Sequence, residues 1–131
     1  MSKRRRAVDE GYERGLDLVA RGEYFAAHEA LEEAWRVAPP AERDFFQGLV
    51  HVAVAWYQAG RHNRVGCERQ LAKARRRLAP YAPVHRALDV SALLTQLDEA
   101  EPRFPGLPPV RVTRRADRAG ALRDECPGQA S

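Results

Sequence analysis

The chain has 131 residues, 44% of them hydrophobic and 31% charged, with a formal net charge of +4; that is one domain's worth of sequence with enough apolar material for one core. No apolar run approaches the roughly 20 residues that span a bilayer. The basic start Met1-Ser2-Lys3-Arg4-Arg5-Arg6 is not followed by an apolar segment of the secretory kind, so the expectation is a soluble cytoplasmic protein that does not meet a membrane.

Residues 1–7 read as a basic arm that frays into solvent. A bundle domain is expected over 8–101. Its first helix runs from about Val8 to Arg21, because Val8, Tyr12, Leu16 and Val19 recur at helical spacing and form one apolar face. Gly22 is a natural left-handed stop. The second helix, about Glu23 to Ala38, places Tyr24, His28, Leu31 and Trp35 on one stripe, with Glu32 on its shoulder. Pro39 and Pro40 end it, since proline lacks the backbone donor the next turn needs.

The third helix, about Ala41 to Ala59, is apolar around more than half its girth through Phe45, Phe46, Leu49, Val50, Val52, Trp56 and Tyr57, which makes it central. Its polar strip carries Asp44, Gln47, His51 and Gln58. Gly60 is expected to break the chain, and Asn63 to cap a fourth helix over about Arg64 to Ala79. In that helix Cys67, Leu71, Ala74 and Leu78 face inward, and Arg69, Lys73 and Arg75–Arg77 face mostly outward. Cys67 therefore reads as a small core residue and Cys126 as part of a polar tail, with no disulfide between them. Pro80 and Pro83 interrupt the pattern. A fifth helix, capped by Asp89, carries the stripe Val90, Leu93, Leu94 and Leu97 and stops at Pro102. Residues 102–131 read as an extended tail, rich in Pro and then Arg, whose Phe104, Leu107 and Val110 could lie on the bundle; beyond Val112 it should be loosely held.

No stretch alternates like a strand. The expected fold is all-α, a compact bundle of about five helices packed antiparallel through short connections. A faint helical-hairpin repeat starts at Gly22 and again at Gly60, too loose for a solenoid.

The chemistry-bearing residues concentrate on the second helix: His28, Glu29, Glu32, Trp35 and Arg36, with Asp44 and Gln47 nearby on the third. His28 and Glu32 are one turn apart on one face. That spacing suits first a structural imidazole–carboxylate pair, then a cleft for a protein or small-molecule partner, and third a metal or catalytic site. In the third case His28 and Glu32 would be ligands of a divalent metal, Glu29 a general base, and Asp44, Gln47, His51 or Glu13 would complete the set. No HExxH is present, because His28-Glu29-Ala30-Leu31-Glu32 follows instead, and no cofactor is expected. The aromatic residues follow the helix period and read as core. Arg4–Arg6, Arg75–Arg77 and Arg114–Arg118 could together meet nucleic acid, but no helix-turn-helix, RNP or zinc-knuckle pattern accompanies them.

Taken as a set, Gly22-Glu23-Tyr24-Phe25, Ala27-His28-Glu29, Leu31-Glu32, Trp35-Arg36, Arg43-Asp44-Phe45, Gln47-Gly48-Leu49 and Val52–Ala55, with Gly60, Asn63 and Gly66, resemble a widespread prokaryotic family of small helical proteins, the domain of unknown function 309. The resemblance spans roughly Tyr12 to Leu97. It implies a multi-helical bundle and no activity. It keeps the positions of His28, Glu29, Glu32 and Trp35. His51 and Cys67 depart from its pattern, which implies a glutamine and a small residue there and counts against both as site residues.

Overall fold

The computed structural model describes residues 2–115. Five helices follow one another: α1 (Lys3–Ala20), α2 (Tyr24–Val37), α3 (Arg43–Gly60), α4 (Arg64–Leu78) and α5 (Val90–Ala100). A minimal hairpin of β1 (Val84–His85) and β2 (Leu88–Asp89) lies between α4 and α5. α1 packs on α2, α2 on α3 and α3 on α4, and each pair runs antiparallel. Gly11 lies against Ala34 while Gly15 lies against Leu31, and Asp44 meets Arg77 while His51 meets Gln70. The all-α bundle expected from the periodicity is the fold observed.

Close approach of α1 to α2 depends on Gly15. A Cβ there would stand 2.4 Å from Leu31 Cδ2, and Leu31 is fully buried, so it would have to repack within the core. The central core is formed by Tyr12, Leu31, Phe45, Phe46, Leu71 and Leu97, and α3 contributes more buried residues to it than any other helix. Tyr12 meets Phe46 edge-on, with ring centroids 5.8 Å apart. Among the described residues no helix is long and apolar enough to cross a membrane.

Several boundaries differ from expectation, each for a local reason. α1 begins at Lys3, so residues 3–7, expected as a frayed arm, form its first turns; the Ser2 hydroxyl accepts the Arg5 N–H at 3.0 Å and caps the helix. α3 continues through Gly60 rather than breaking there. The left-handed residue that reverses the chain is His62, at φ 61°, which corresponds to Gly22, at φ 77°, in the first hairpin. The two turns share one bonding pattern. Gly22 and Glu23 N–H donate to Val19 and Leu18, and His62 and Asn63 N–H donate to Ala59 and Gln58. That is the Schellman arrangement used twice. The repeat therefore aligns Gly22 with His62 and not with Gly60.

The hairpin was not expected at all. Its two turn residues, Arg86 and Ala87, both have positive φ, at 48° and 63°. Tight hairpins favour such angles, but usually with Asn or Gly. After α5 a short turn at Glu101–Arg103 leads into an extended stretch that crosses the bundle, with Val110 buried. Residues 113–115, expected to be loosely held, pair with the hairpin: Asp89 N–H donates to the Thr113 carbonyl at 2.9 Å, and Leu88 bridges Arg114. The rest of the expected tail, residues 116–131 with Arg118 and Cys126, lies outside the described residues.

Candidate functional site

The outward side of α2 carries His28, Glu32 and Arg36 at successive turns. His28 Nε2 stands 3.8 Å from Glu32 Oε1, beyond hydrogen-bond length, and Arg36 Nη2 stands 3.4 Å from the same oxygen. All three side chains keep solvent access, His28 at 25% and Glu32 at 36%. Glu29 is exposed beside them. Phe25, one turn before His28, is 51% exposed, a large fraction for an aromatic. Its ring centroid lies 5.6 Å from that of His28 and 5.3 Å from that of Tyr57 on α3. Arg61 lies over Tyr57, with its guanidinium 5.6 Å from the ring centroid. The surface is an open aromatic strip edged by both signs of charge.

The other expected members go elsewhere. Trp35 is half-buried, and Arg43 lies over it at 4.6 Å while donating to the Trp35 carbonyl at 3.3 Å. Asp44 turns to the opposite edge of α3 and pairs with Arg77 at 2.6 Å. Gln47 is half-buried. His51 bonds Gln70 on α4 through Nδ1 at 2.6 Å, and burial holds its pKa below the ordinary histidine value, favouring the neutral ring. Glu13 is engaged by both terminal nitrogens of Arg114, at 3.0 and 2.9 Å, and the bond to Arg114 lowers its pKa. Neither Asp44, His51 nor Glu13 therefore joins His28 and Glu32. Among the described residues, no three or more His, Cys, Asp or Glu side chains gather in a way that could hold a metal. Catalytic zinc sites use three protein ligands, and this pair supplies two.

Four arginines of the expected clusters, Arg75, Arg77, Arg114 and Arg115, are paired with carboxylates within the fold. Arg75 meets Glu101 at 3.2 Å and Asp98 at 3.8 Å, Arg77 meets Asp44, and Arg115 meets Asp89 at 3.1 Å. Such pairing removes much of the free positive charge that phosphate binding requires. Arg4, Arg5 and Arg6 stay exposed on the first turns of α1.

The most highly organised polar cluster escaped the sequence reading. Arg86, at the tip of the hairpin, sends Nε and Nη2 to Glu42 at 2.7 and 2.9 Å and Nη1 to Asp9 at 2.9 Å. His85 Nε2 adds a contact of 2.8 Å to the same Glu42 carboxylate. The Arg86 guanidinium also lies over Tyr12 and Phe46, and the Arg86 carbonyl accepts the Tyr12 hydroxyl at 2.9 Å. The bond from Arg86 holds Glu42 below the usual carboxylate range, while Glu42 and Asp9 push Arg86 further up. Burial pushes the Tyr12 phenol up to about 12, so it keeps its proton for the Arg86 carbonyl. Nothing local announces this cluster, because the partners of Arg86 are 44 and 77 residues away. With the guanidinium directed onto two carboxylates and two rings, its evident role is to fix the hairpin to α1 and to the turn before α3.

Fold and surface together define a small protein of two stacked helical hairpins, closed by a fifth helix and presenting an open polar–aromatic strip on α2. Residues 12–70, from within α1 to within α4, match the model of the family described as "Domain of unknown function (DUF309)". The chain is also 38% identical over 75 residues to "Uncharacterized protein YpuF" of Bacillus subtilis (strain 168); the match covers 56% of this chain and 41% of that relative. No solved structure matches at a significant level. The α2 strip lies inside the matched residues. α5 and the crossing segment lie after them, and the Arg86 cluster joins His85 and Arg86, also after them, to Glu42, Tyr12 and Phe46 within them and Asp9 before them.

Proposed function

We propose that the protein is a binding module, which meets a protein or small-molecule partner through the outward side of α2. The reading rests on Phe25. A large aromatic left half exposed, bordered by His28 and Tyr57 and followed along the helix by Glu32 and Arg36, gives one surface an apolar anchor together with donors and acceptors. Interfaces concentrate their energy in such aromatic and arginine positions. His28, Glu29, Glu32 and Arg36 would supply the polar rim. Asp44, held by Arg77, would contribute only if that pair opened.

A photo-reactive phenylalanine analogue placed at position 25, in extract of the source organism, tests this. A discrete adduct should form there and not from the equally exposed position 65 on α4. It should disappear in the His28→Ala/Glu32→Ala variant. Equal labelling from both positions, or a double variant that changes only the melting temperature, would exclude the α2 surface as the binding site.

A further inference from the structure

The stretch Leu107–Arg115 lies on the bundle in the manner of a bound peptide. Of its nine residues only Val110 is buried; Arg111 and Thr113 point outward and Val112 is half-buried, an alternation typical of extended chain. Its main chain takes most of the polar contacts. The Trp56 indole N–H donates to the Pro108 carbonyl at 2.8 Å, and the Val110 N–H donates to the Tyr24 hydroxyl at 3.2 Å. Gln96 closes a two-way amide pair on Arg111, at 2.9 Å to its carbonyl and 2.7 Å from its N–H. The edge of β2 then takes Thr113. Gln96 is itself a buried polar residue, only 8% exposed, and both ends of its amide face the crossing chain.

These are two familiar ways of reading a peptide, joined end to end. An aromatic groove holds a proline pair, with an indole N–H on a carbonyl, and a short strand edge extends the grip. Pro108 and Pro109 suit the groove because they have no N–H to leave unpaired. The groove is also underfilled. Beside Pro105, Leu107 and Pro109 an open volume of about 480 Å³ remains, walled by Arg21, Tyr24, Trp56 and Gly60.

We propose that this is a peptide-recognition groove occupied by the chain's own residues 107–115. Its partner in trans is an extended protein segment with a Pro-Pro pair followed by β-branched residues at alternate positions. The inherent segment acts as a competitor, tethered through the turn after α5, so a partner must displace it. The groove is independent of the α2 surface: Tyr24 and Trp56 face the crossing chain, whereas Phe25 and Tyr57, one residue further along each helix, do not.

The test uses the full-length protein with a specific protease site inserted after Gly106, in an exposed turn. Cutting the folded protein leaves the crossing segment held without a covalent link. A fluorescent peptide of residues 105–115 should then exchange into the cut protein while the helical signal persists. It should bind the uncut protein at least about tenfold more weakly, because the tether raises the effective concentration of the inherent segment. Trp56→Phe, or Val110→Asp in the peptide, should weaken binding to the cut protein by a similar factor. Loss of helix on cutting, or equal binding to cut and uncut protein, would overturn the proposal. Hydrogen exchange in the unaltered protein gives an independent check. The Val110 and Arg111 amides should open at least about tenfold more readily than that of Val52 on α3, and equal protection would also overturn it.

Discussion

Replacing Arg86 by alanine removes a side chain that reaches two carboxylates and two aromatic rings. Charged hydrogen bonds contribute a net ~1.5–3 kcal/mol each when shielded. The Glu42 arm is the shielded one, with side-chain exposures of 24% for Arg86 and 16% for Glu42. Asp9 is 41% exposed, so solvent screening brings its share below about 1 kcal/mol. An orphaned buried charge costs ~3–5 kcal/mol, but Glu42 would keep His85 at 2.8 Å, which places the cost below that ceiling. The expected loss is about 2–4 kcal/mol, which for a domain of this size lowers the melting temperature by roughly 6–20 °C. Urea and thermal unfolding followed by far-ultraviolet circular dichroism measure it. Combined with Glu42→Gln in a double-mutant cycle, the coupling should be about 1.5–3 kcal/mol. Arg86→Lys should recover little, because an ammonium cannot reproduce the two-pronged geometry. A coupling under ~0.5 kcal/mol, or a shift of the single variant under ~2 °C, would show that the hairpin is held by packing alone and that the ion cluster is incidental.

Acid should destabilise the fold in two stages. His51 is half-buried, with its pKa below the ordinary 6.5; the unfolded chain then binds its proton more readily, and stability begins to fall as the pH drops below that value. Glu42, held low by Arg86, Glu13, held low by Arg114, and Asp89, held low by the Ala92 N–H and then Arg115, add a steeper loss as the pH falls below their ordinary values, 4.5 for the glutamates and 3.8 for the aspartate. Glu42→Gln should flatten this second stage in a plot of melting temperature against pH, and a melting temperature that rises on acidification would contradict the assignment. At the turn between α3 and α4, His62→Gly should stabilise the protein by about 0.5–1 kcal/mol, because an L residue at positive φ carries backbone strain that glycine lacks. A loss of stability on denaturant titration would mean that the exposed imidazole makes a contact stronger than that strain.

What the sequence determined by itself was local. Val8, Tyr12, Leu16 and Val19 on α1 and the apolar girth of α3 follow from a spacing of three and four residues, because each helical turn is closed by bonds between near neighbours. The caps at Asn63 and Asp89 were legible for the same reason: each side chain accepts an N–H three residues ahead, Gly66 and Ala92 respectively. The His28–Glu32 spacing was legible too, but whether a third polar group met it depended on how α3 turned beside α2, which placed Asp44 toward Arg77 instead. The anchoring of the hairpin at Val84–Asp89, the cluster on Arg86 and the crossing of Leu107–Arg115 were decided only in three dimensions. Their partners lie far along the chain: 44 residues between Glu42 and Arg86, 86 between Tyr24 and Val110, and 101 between Glu13 and Arg114. A residue pattern can state which turn comes next, since the bonds that make the turn are already within it. It carries no such record of which carboxylate an arginine will reach once the core has brought distant elements together.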